Sequence, residues 1–410
     1  MYLRADTTLP IMYDLYKQQV NNSPVSFSKY KNVFLTHFNF RRNPLKKDTC
    51  NLCDKLEILI NNSATEEQVK YKTERDNHID SAEEARQALN ADRKRAKFDE
   101  QLEVLCFDME KTLPLPRIPT NVVFYKRQLW LYNLGIHTAK HNKGHCYVWL
   151  EGEAGRGAQE VGSCLFRHVL KARDMEACKH LILWSDSCGG QNRNIKIVLM
   201  LNAIFDVHPL LERITLRFLT SGHSFLPNDT DFGDIECALK FQQRMYSPVD
   251  YMNVMSSCRK KNPLIVHKMK MEHFFGTCNL EKRVVNRKVD IFNNKINWLK
   301  FKEIELRKEC REKLFVKYSF HEEAHEISLQ KKRGRPSSEL YQNFKESLVL
   351  LWPDGKPIPD KKLEDLKFLL SLIPKDAKEF YKKLTGDPNM EDDIDGLNGP
   401  LDFDLEDDEL

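Results

Sequence analysis

The sequence predicts an α/β protein built on a mixed sheet, with the element order β-β-β-α-β-α-β-α. Apolar runs of strand length follow one another between residues 102 and 155. From residue 157 onward, segments with apolar residues at helical spacing alternate with further short apolar runs. No stretch approaches the roughly 20 apolar residues of a membrane-spanning helix. We therefore expect a globular core within residues 101–250.

The elements of this core follow in order along the chain. Strands are predicted at 102–110 (LEVLCFDME), in two runs within 120–139, and at 144–155; they are followed by a helix over 157–173, a strand at 181–184 (LILW), a helix over 194–206, a strand over 213–224 and a helix over 229–245. This is the order of an RNase H-like core. In that fold the first and fourth strands lie side by side in a mixed sheet.

The regions that flank the core differ from it in composition. Residues 1–100 predict a helical N-terminal region, which includes a long polar helix over 64–100 without Gly or Pro. Residues 251–330 predict a small β-rich appendage, and 331–338 a basic linker. Residues 339–386 predict two or three C-terminal helices, and 387–410 a disordered acidic tail.

Charge is segregated along the chain. Eleven of the 60 acids lie in residues 387–410, which contain no Lys or Arg, so the rest of the chain carries 64 bases against 49 acids. A basic body of this kind favours a polyanion such as DNA as the partner, with the tail competing for the same surface. The alternative is a solvated surface with a disordered tail.

Three aspartates occupy the ends of core elements. Asp108 ends the first strand, Asp186 follows the fourth, and Asp229 begins the last helix. Since the first and fourth strands end at the same edge of such a sheet, we expect the three carboxylates to converge. Converging carboxylates repel one another unless they share cations. Mg²⁺ or Mn²⁺ would suit this all-oxygen site, and two such ions support in-line phosphoryl displacement.

Other readings of these positions stay open. An aspartate at a strand end is often a turn former or a helix cap. Asp231, Asp234 and Glu236 compete for the third acidic position. His223 either reaches the scissile phosphate or is a buried, hydrogen-bonded histidine. Three amides after the fourth strand either bind a phosphate or cap the next helix: Gln191, Asn192 and Asn194.

The stretches FDMEKTLPLP, SDSCGGQNRN and TSGHSFLPNDTDFG resemble those of a group of transposon-derived proteins. The core of that group is similar to the RNase H-like DDE/D transposases, and the chain looks nearest to the Sola superfamily. The spacing in GHSFLPNDTDF matches related transposase-like proteins and favours Asp229 over its neighbours. The resemblance extends to PLKKDTCNLCDKL and KKLEDLKFLLSLIPKDAKEFYKKL, and so spans nearly the whole chain. It implies DNA cleavage and strand transfer at transposon ends.

The chain departs from this group at its start. Members often carry a long region before the point where this chain begins, and DNA-end recognition is expected to lie there. Three hypotheses follow: a DDD-type transposase, a domesticated and catalytically silent chromatin protein, or a metal-dependent nuclease without strand transfer. Transposases of this chemistry commonly act as dimers or larger assemblies, so a homo-oligomer is the expectation for the first.

The cysteines indicate a reduced, intracellular protein. There are eleven, scattered along the chain, and no N-terminal apolar stretch resembles a signal peptide. Cys50 and Cys53 form one C-x-x-C, which is half of a zinc site. His78 is a candidate third ligand and His37 a weak fourth. The alternative is a turn with two free thiols.

A basic motif in the linker predicts minor-groove binding. Its residues are Lys331, Lys332, Arg333, Gly334, Arg335 and Pro336. The Arg-Gly-Arg-Pro core resembles an AT-hook, in which two arginines enter a narrow A·T minor groove where the negative potential is strongest. The same cluster predicts a nuclear import signal, and hence a nuclear location, or is a solvated linker.

Overall fold

A computed structural model describes residues 2–3, 8–20, 23–38, 41–42, 49–172, 175–330 and 343–390. The chain divides into two compact units, Met1–Arg75 and Asp76–Leu410. The predicted hook, 331–336, and most of the predicted acidic tail, 391–410, lie outside the described residues.

The first unit is mainly helical. Its elements are β1 (Tyr2–Leu3), α1 (Leu9–Gln19), α2 (Phe27–His37), β2 (Arg41–Arg42), α3 (Asn51–Asn62) and the first part of α4 (Thr65–Ala96). The β1 and β2 strands pair in parallel. Hydroxyl caps explain where two helices begin, since Thr8 accepts from the Ile11 N–H and Ser26 from the Lys29 N–H. The predicted helical N-terminal region is confirmed.

The second unit contains the predicted core. Its elements are β3 (Leu102–Met109), β4 (Leu113–Leu115), β5 (Leu129–Thr138), β6 (Lys143–Leu150), α5 (Ala158–Lys171), β7 (His180–Ser185), α6 (Ile195–Val207), β8 (Arg213–Phe218) and α7 (Pro227–Leu239). The central strands lie in the order β6-β5-β3-β7-β8. The β5 strand is antiparallel to β3 and β6, whereas β3, β7 and β8 are mutually parallel. The prediction of a mixed sheet with the first and fourth strands adjacent is confirmed.

The remaining elements extend this sheet or cover it. They are α8 (Pro248–Ser257), β9 (Ile265–Lys268), β10 (Phe275–Gly276), α9 (Cys278–Glu281), β11 (Glu303–Arg307), β12 (Lys313–Lys317), β13 (His325–Ser328), β14 (Val349–Leu350), β15 (Ile358–Pro359), α10 (Asp360–Leu369) and β16 (Gly386–Asp387). The predicted appendage is β-rich, but β11 pairs with β8 and β9 pairs with β6, so its strands complete one ten-stranded sheet.

The C-terminal region differs from the prediction of two or three helices. Within residues 343–390, α10 is the only α-helix, and short 3₁₀ turns and strand pairs take up much of the rest. Prolines explain the difference, because Pro353, Pro357, Pro359 and Pro374 cannot lie inside a helix without breaking its hydrogen bonds.

The sheet buries both of its faces. Alternate residues of β3 divide between them: Leu105 and Phe107 pack with α5 and α6, and Val104 and Cys106 pack with α4 residues such as Leu89. On this second face, α7 lies over β5 at Gly135. A Cβ atom there would come within 2.7 Å of the Phe232 ring. Glycine at this position therefore allows α7 to approach the sheet closely.

Candidate active site and metal centre

The first two predicted acids lie at neighbouring strand ends. The parallel register of β3 and β7 pairs Cys106 with Trp184. Two residues further along each strand come Asp108 and Asp186, on the face that carries Cys106 and Trp184. The predicted convergence of these two carboxylates follows from the parallel pairing.

The start of α7 brings the third acid to the same place. Asp108 pairs across the sheet with Gly135, and a Cβ atom at Gly135 would lie 3.0 Å from the side chain of Asn228. Asp229 is the next residue, in the first turn of α7. Burial, together with the charges of Asp186 and Asp229, raises the pKa of Asp108 to about 8. Burial also raises the pKa of Asp186 and Asp229.

Each of the three carboxylates keeps one oxygen for a ligand. The Asp108 Oδ1 accepts from the Met109 N–H at 2.8 Å, and the Asp229 Oδ2 accepts from the Leu226 N–H at 2.9 Å. The Asp186 Oδ1 accepts from the Asn192 Nδ2 at 2.6 Å and from the Cys188 N–H at 3.2 Å. Among the described residues, the other oxygen of each has no hydrogen-bond donor, and none of the three forms an ion pair.

The acids that compete for the third position already have cationic partners. Asp231 is bonded to His137 and to Arg259, each at 2.7 Å. Asp234 lies 3.2 Å from Arg259, and Glu236 lies 2.5 Å from Lys111. Asp229 has no such partner among the described side chains, which favours it as the third acid.

The amides after β7 hold the local structure together. Asn194 caps α6, since its Oδ1 accepts from the N–H groups of Lys196 and Ile197. Asn192 orients Asp186, and the Gln191 side chain donates to the Arg156 carbonyl at 3.1 Å. The capping alternative is therefore correct for Asn194, and Asn192 supports an acid directly.

A second group of candidate ligands contains thiols and imidazoles. Cys50 is buried at the residue before α3, and Cys53 lies in the first turn of that helix. His78 on α4 and His223, in the loop between β8 and α7, have ring centroids 5.0 Å apart. The ligand atoms of all four side chains lie within 4.8 Å of one another, so the group could hold a metal ion such as zinc.

The protonation states of this group suit a metal only in part. Burial lowers the pKa of His78, as do the neighbouring charges of His223 and Lys302, so His78 is neutral and able to bind a cation. Burial and the neighbouring Cys50 raise the pKa of Cys53, so a bound cation would be needed to keep it as a thiolate.

The four side chains of this group include one ligand that differs from the prediction. The predicted ligands Cys50, Cys53 and His78 come together, but the fourth member is His223 and not the exposed His37. His223 was predicted as either a catalytic or a buried histidine. A separation of 145 residues from His78 gives no spacing signal that could have revealed this pairing.

Sequence reasoning also missed two basic residues beside the acids, Arg193 and Lys302. Arg193 lies within SDSCGGQNRN, and its closeness to Asp186 in the chain could have indicated that it belongs to the site. Lys302 comes from the segment before β11, and no pattern in the sequence indicated that it lies near Arg193.

Comparison with known proteins gives no match from which a family could be assigned. No family of known proteins, no curated protein and no solved structure matches the chain. In the part of the chain that the structure describes, no helix is long and apolar enough to cross a membrane.

Proposed function

We propose that this protein is a divalent-metal-dependent enzyme that cleaves DNA phosphodiesters and transfers the resulting ends, as DDE/D transposases with an RNase H-like core do. The observation that carries the proposal is that Asp108 and Asp186 lie at the ends of neighbouring parallel strands and that neither they nor Asp229 form an ion pair with a described residue. The strand order β6-β5-β3-β7-β8, with its antiparallel and parallel pairs, supports it.

Three features of the chain would serve this chemistry. Asp108, Asp186 and Asp229 would hold the cations through their free oxygens. Bound Mg²⁺ would activate the attacking oxygen and neutralise charge on the leaving one. Asn192 keeps Asp186 oriented, and the close approach of α7 at Gly135 keeps Asp229 beside Asp108. The basic body and the hook, 331–336, would hold the DNA backbone and an A·T minor groove.

We also propose that Cys50, Cys53, His78 and His223 bind one structural zinc ion. A site closed by four protein ligands leaves no open position for chemistry, so its role would be to stabilise the fold. His223 lies on the loop that leads into α7, three residues before Leu226, whose N–H binds Asp229. Zinc would therefore help to fix the loop that orients the third acid.

Calorimetry with Mn²⁺ tests the acidic site without knowledge of the DNA substrate. The zinc site is filled first, so that Mn²⁺ cannot occupy it. We expect one or two Mn²⁺ ions per chain, lost in Asp186→Ala and retained in Asp234→Asn, which removes an acid already paired with Arg259. Equal binding by the wild type and Asp186→Ala, with and without a DNA duplex, would overturn the proposal.

Product analysis then distinguishes the chemical alternatives. Cleavage together with joined strands supports a transposase, and cleavage alone supports a nuclease without strand transfer. Tight DNA binding without cleavage, despite bound Mn²⁺, supports the catalytically silent chromatin protein. Loss of cleavage in Asp186→Ala and its retention in Asp234→Asn assign the activity to this site.

Metal analysis of the purified protein tests the zinc site separately. We expect one zinc ion per chain in the wild type and in Cys237→Ser, because Cys237 is exposed and lies outside the group. Cys53→Ser should lose that ion. A wild type that retains no zinc after loading and dialysis would reject this assignment without affecting the acidic site.

A further inference from the structure

One buried and one half-buried basic side chain lie near the ends of β7 and β8, and neither has a carboxylate partner among the described residues. The first is Arg193, which is 7% exposed. Its Nη2 donates to the Ser187 hydroxyl at 2.9 Å, its Nη1 donates to the Leu299 carbonyl, and its guanidinium lies 4.6 Å from the Phe218 ring centroid. The buried Nε of Arg193 has no hydrogen-bond partner.

The second basic side chain is Lys302, which is half-buried. Its Nζ donates to the Thr220 hydroxyl at 2.9 Å, and that hydroxyl donates to the Ser81 carbonyl at 3.3 Å. The Lys302 carbonyl accepts from the Phe218 N–H at 3.0 Å, so Lys302 adjoins the strand end on which Arg193 packs. Neither cation forms an ion pair with any described residue.

The two cations repel each other, and Arg193 lies close to Asp186. Burial and the charge of Arg193 lower the pKa of Lys302, which the charge of Glu84 offsets only in part. Burial lowers the pKa of Arg193 to about 10, although the nearby charge of Asp186 acts in the opposite direction. Ser187, which accepts from Arg193, directly follows Asp186 in the chain.

Three other bases of low exposure have carboxylate partners. Arg217 contacts Asp92 and Glu303, Arg259 contacts Asp231, and Lys362 contacts Glu151. A buried charge is costly unless it is paired, and two neighbouring cations without a counter-ion are costlier still. An anionic ligand would remove this cost.

We propose that Arg193 and Lys302 form a phosphate subsite that takes a backbone phosphate of the nucleic acid next to the scissile bond. The inference rests on the proposed function, because the carboxylates define where the scissile phosphate would lie. Lys302 supplies a half-buried ammonium group, and Arg193 supplies a fixed positive charge. The subsite would place the strand relative to Asp186.

The test is DNA affinity over a series of salt concentrations, with Ca²⁺ in place of Mg²⁺. We expect Lys302→Met to lower affinity about tenfold and to reduce the salt slope by about one charge. Lys302→Arg should restore most of both. Lys300→Met is the matched control, since Lys300 is exposed two residues away, and it should change affinity by less than about twofold.

Thermal unfolding excludes a merely structural role for Lys302. Without DNA, Lys302→Met should melt at the same temperature as the wild type or higher, because it removes a partly buried unpaired charge. Lower DNA affinity together with a lower melting temperature that Lys302→Arg does not restore would overturn the subsite. So would equal losses of affinity in Lys302→Met and Lys300→Met.

Two further arms separate the sources of the phosphate and the two proposals. If inorganic phosphate competes with DNA in the wild type but not in Lys302→Met, phosphate binds at this lysine. If phosphate binds tightly but does not compete with DNA, the ligand is a free anion and the nucleic-acid assignment is overturned. Mn²⁺ calorimetry on Lys302→Met should match the wild type. Intact Mn²⁺ binding with unchanged DNA affinity overturns the subsite alone, whereas absent Mn²⁺ binding in the wild type overturns the proposed function.

Discussion

Asp229 and Asp231 lie two residues apart on α7, yet their surroundings differ in kind. Asp231 is 3% exposed and is bonded to His137 and Arg259. Asp229 has a backbone N–H as its hydrogen-bond donor among the described residues. Asp108 and Asp186 resemble Asp229 in this respect. Asp231 therefore ties α7 to its neighbours, whereas the charges of Asp186 and Asp229 act repulsively on Asp108.

The difference matters because burial costs energy in both cases and is offset in only one. For Asp231, the charge of Arg259 and the hydrogen bond to His137 supply the compensation within the fold. The three other acids form no ion pair with a described side chain, and the charge of Arg193 offsets the cost for Asp186 only in part, so a cation from solution would have to supply the rest. Stability and metal binding should therefore respond in opposite ways to substitutions in the two groups.

The largest effect is expected for the paired acid. Asp231→Ala leaves Arg259 beside a buried gap without its counter-charge and removes the hydrogen bond to His137, and we expect it to lower the free energy of unfolding by about 3–5 kcal/mol. Urea denaturation measures this. The Mn²⁺ stoichiometry of the fraction that remains folded should not change. A loss below about 1 kcal/mol would mean that the pair contributes little, and the contrast with Asp229 would fail.

Asp108→Asn should have the opposite effect on stability. Because the pKa of Asp108 is raised from 3.8 to about 8 in the folded protein, the folded state binds this proton more tightly than the unfolded state does. Its contribution to stability therefore falls as pH rises from about 4 to 8, by at most about 1.4 kcal/mol per pH unit. We expect Asp108→Asn to be more stable than the wild type at pH 8 and to bind no Mn²⁺.

Urea denaturation at pH 6 and pH 8 measures this difference. The pKa of Glu110 is also raised, to about 7, but its contribution is common to both proteins and cancels in the comparison. Mn²⁺ should restore the stability of the wild type at pH 8 and leave Asp108→Asn unaffected. A wild type whose stability relative to the variant does not depend on pH would contradict the raised pKa.

A smaller effect is expected at Asn192, which supports an unpaired acid. Asn192→Ala removes the 2.6 Å hydrogen bond to Asp186 and should weaken Mn²⁺ binding about tenfold, with its stoichiometry kept. Calorimetry checks this. Gln191→Ala is the control, because Gln191 donates to the Arg156 carbonyl and not to an acid. Equal effects in the two variants would mean that the loop as a whole, and not this bond, sets the affinity.

Local patterns predicted the centre of the fold well. The apolar runs that became β3 and β7 are continuous because both faces of these strands are buried. Once these strands were expected to be parallel neighbours, the positions of Asp108 and Asp186 followed from where each run stops. Asp229 followed from the start of the last core helix.

Other features could not be predicted in this way. Strands β9 and β11 are short, and nothing in their own residues states that they pair with β6 and β8. The prolines of 353–374 were visible, but the apolar spacing around 363–373 suggested more helix than forms. Lys302 and His223 belong to segments whose neighbours are set by how distant parts of the chain pack.

The sequence by itself determined the mixed sheet, the positions of Asp108 and Asp186 at neighbouring strand ends and the two cysteines of a candidate metal site, because these depend on short periodic patterns and on local strand ends. The tertiary structure alone decided which acids are paired, which cations are left without a partner and which histidine joins the thiols. Those outcomes depend on distances between side chains far apart in the chain, and spacing along the sequence carries no information about them.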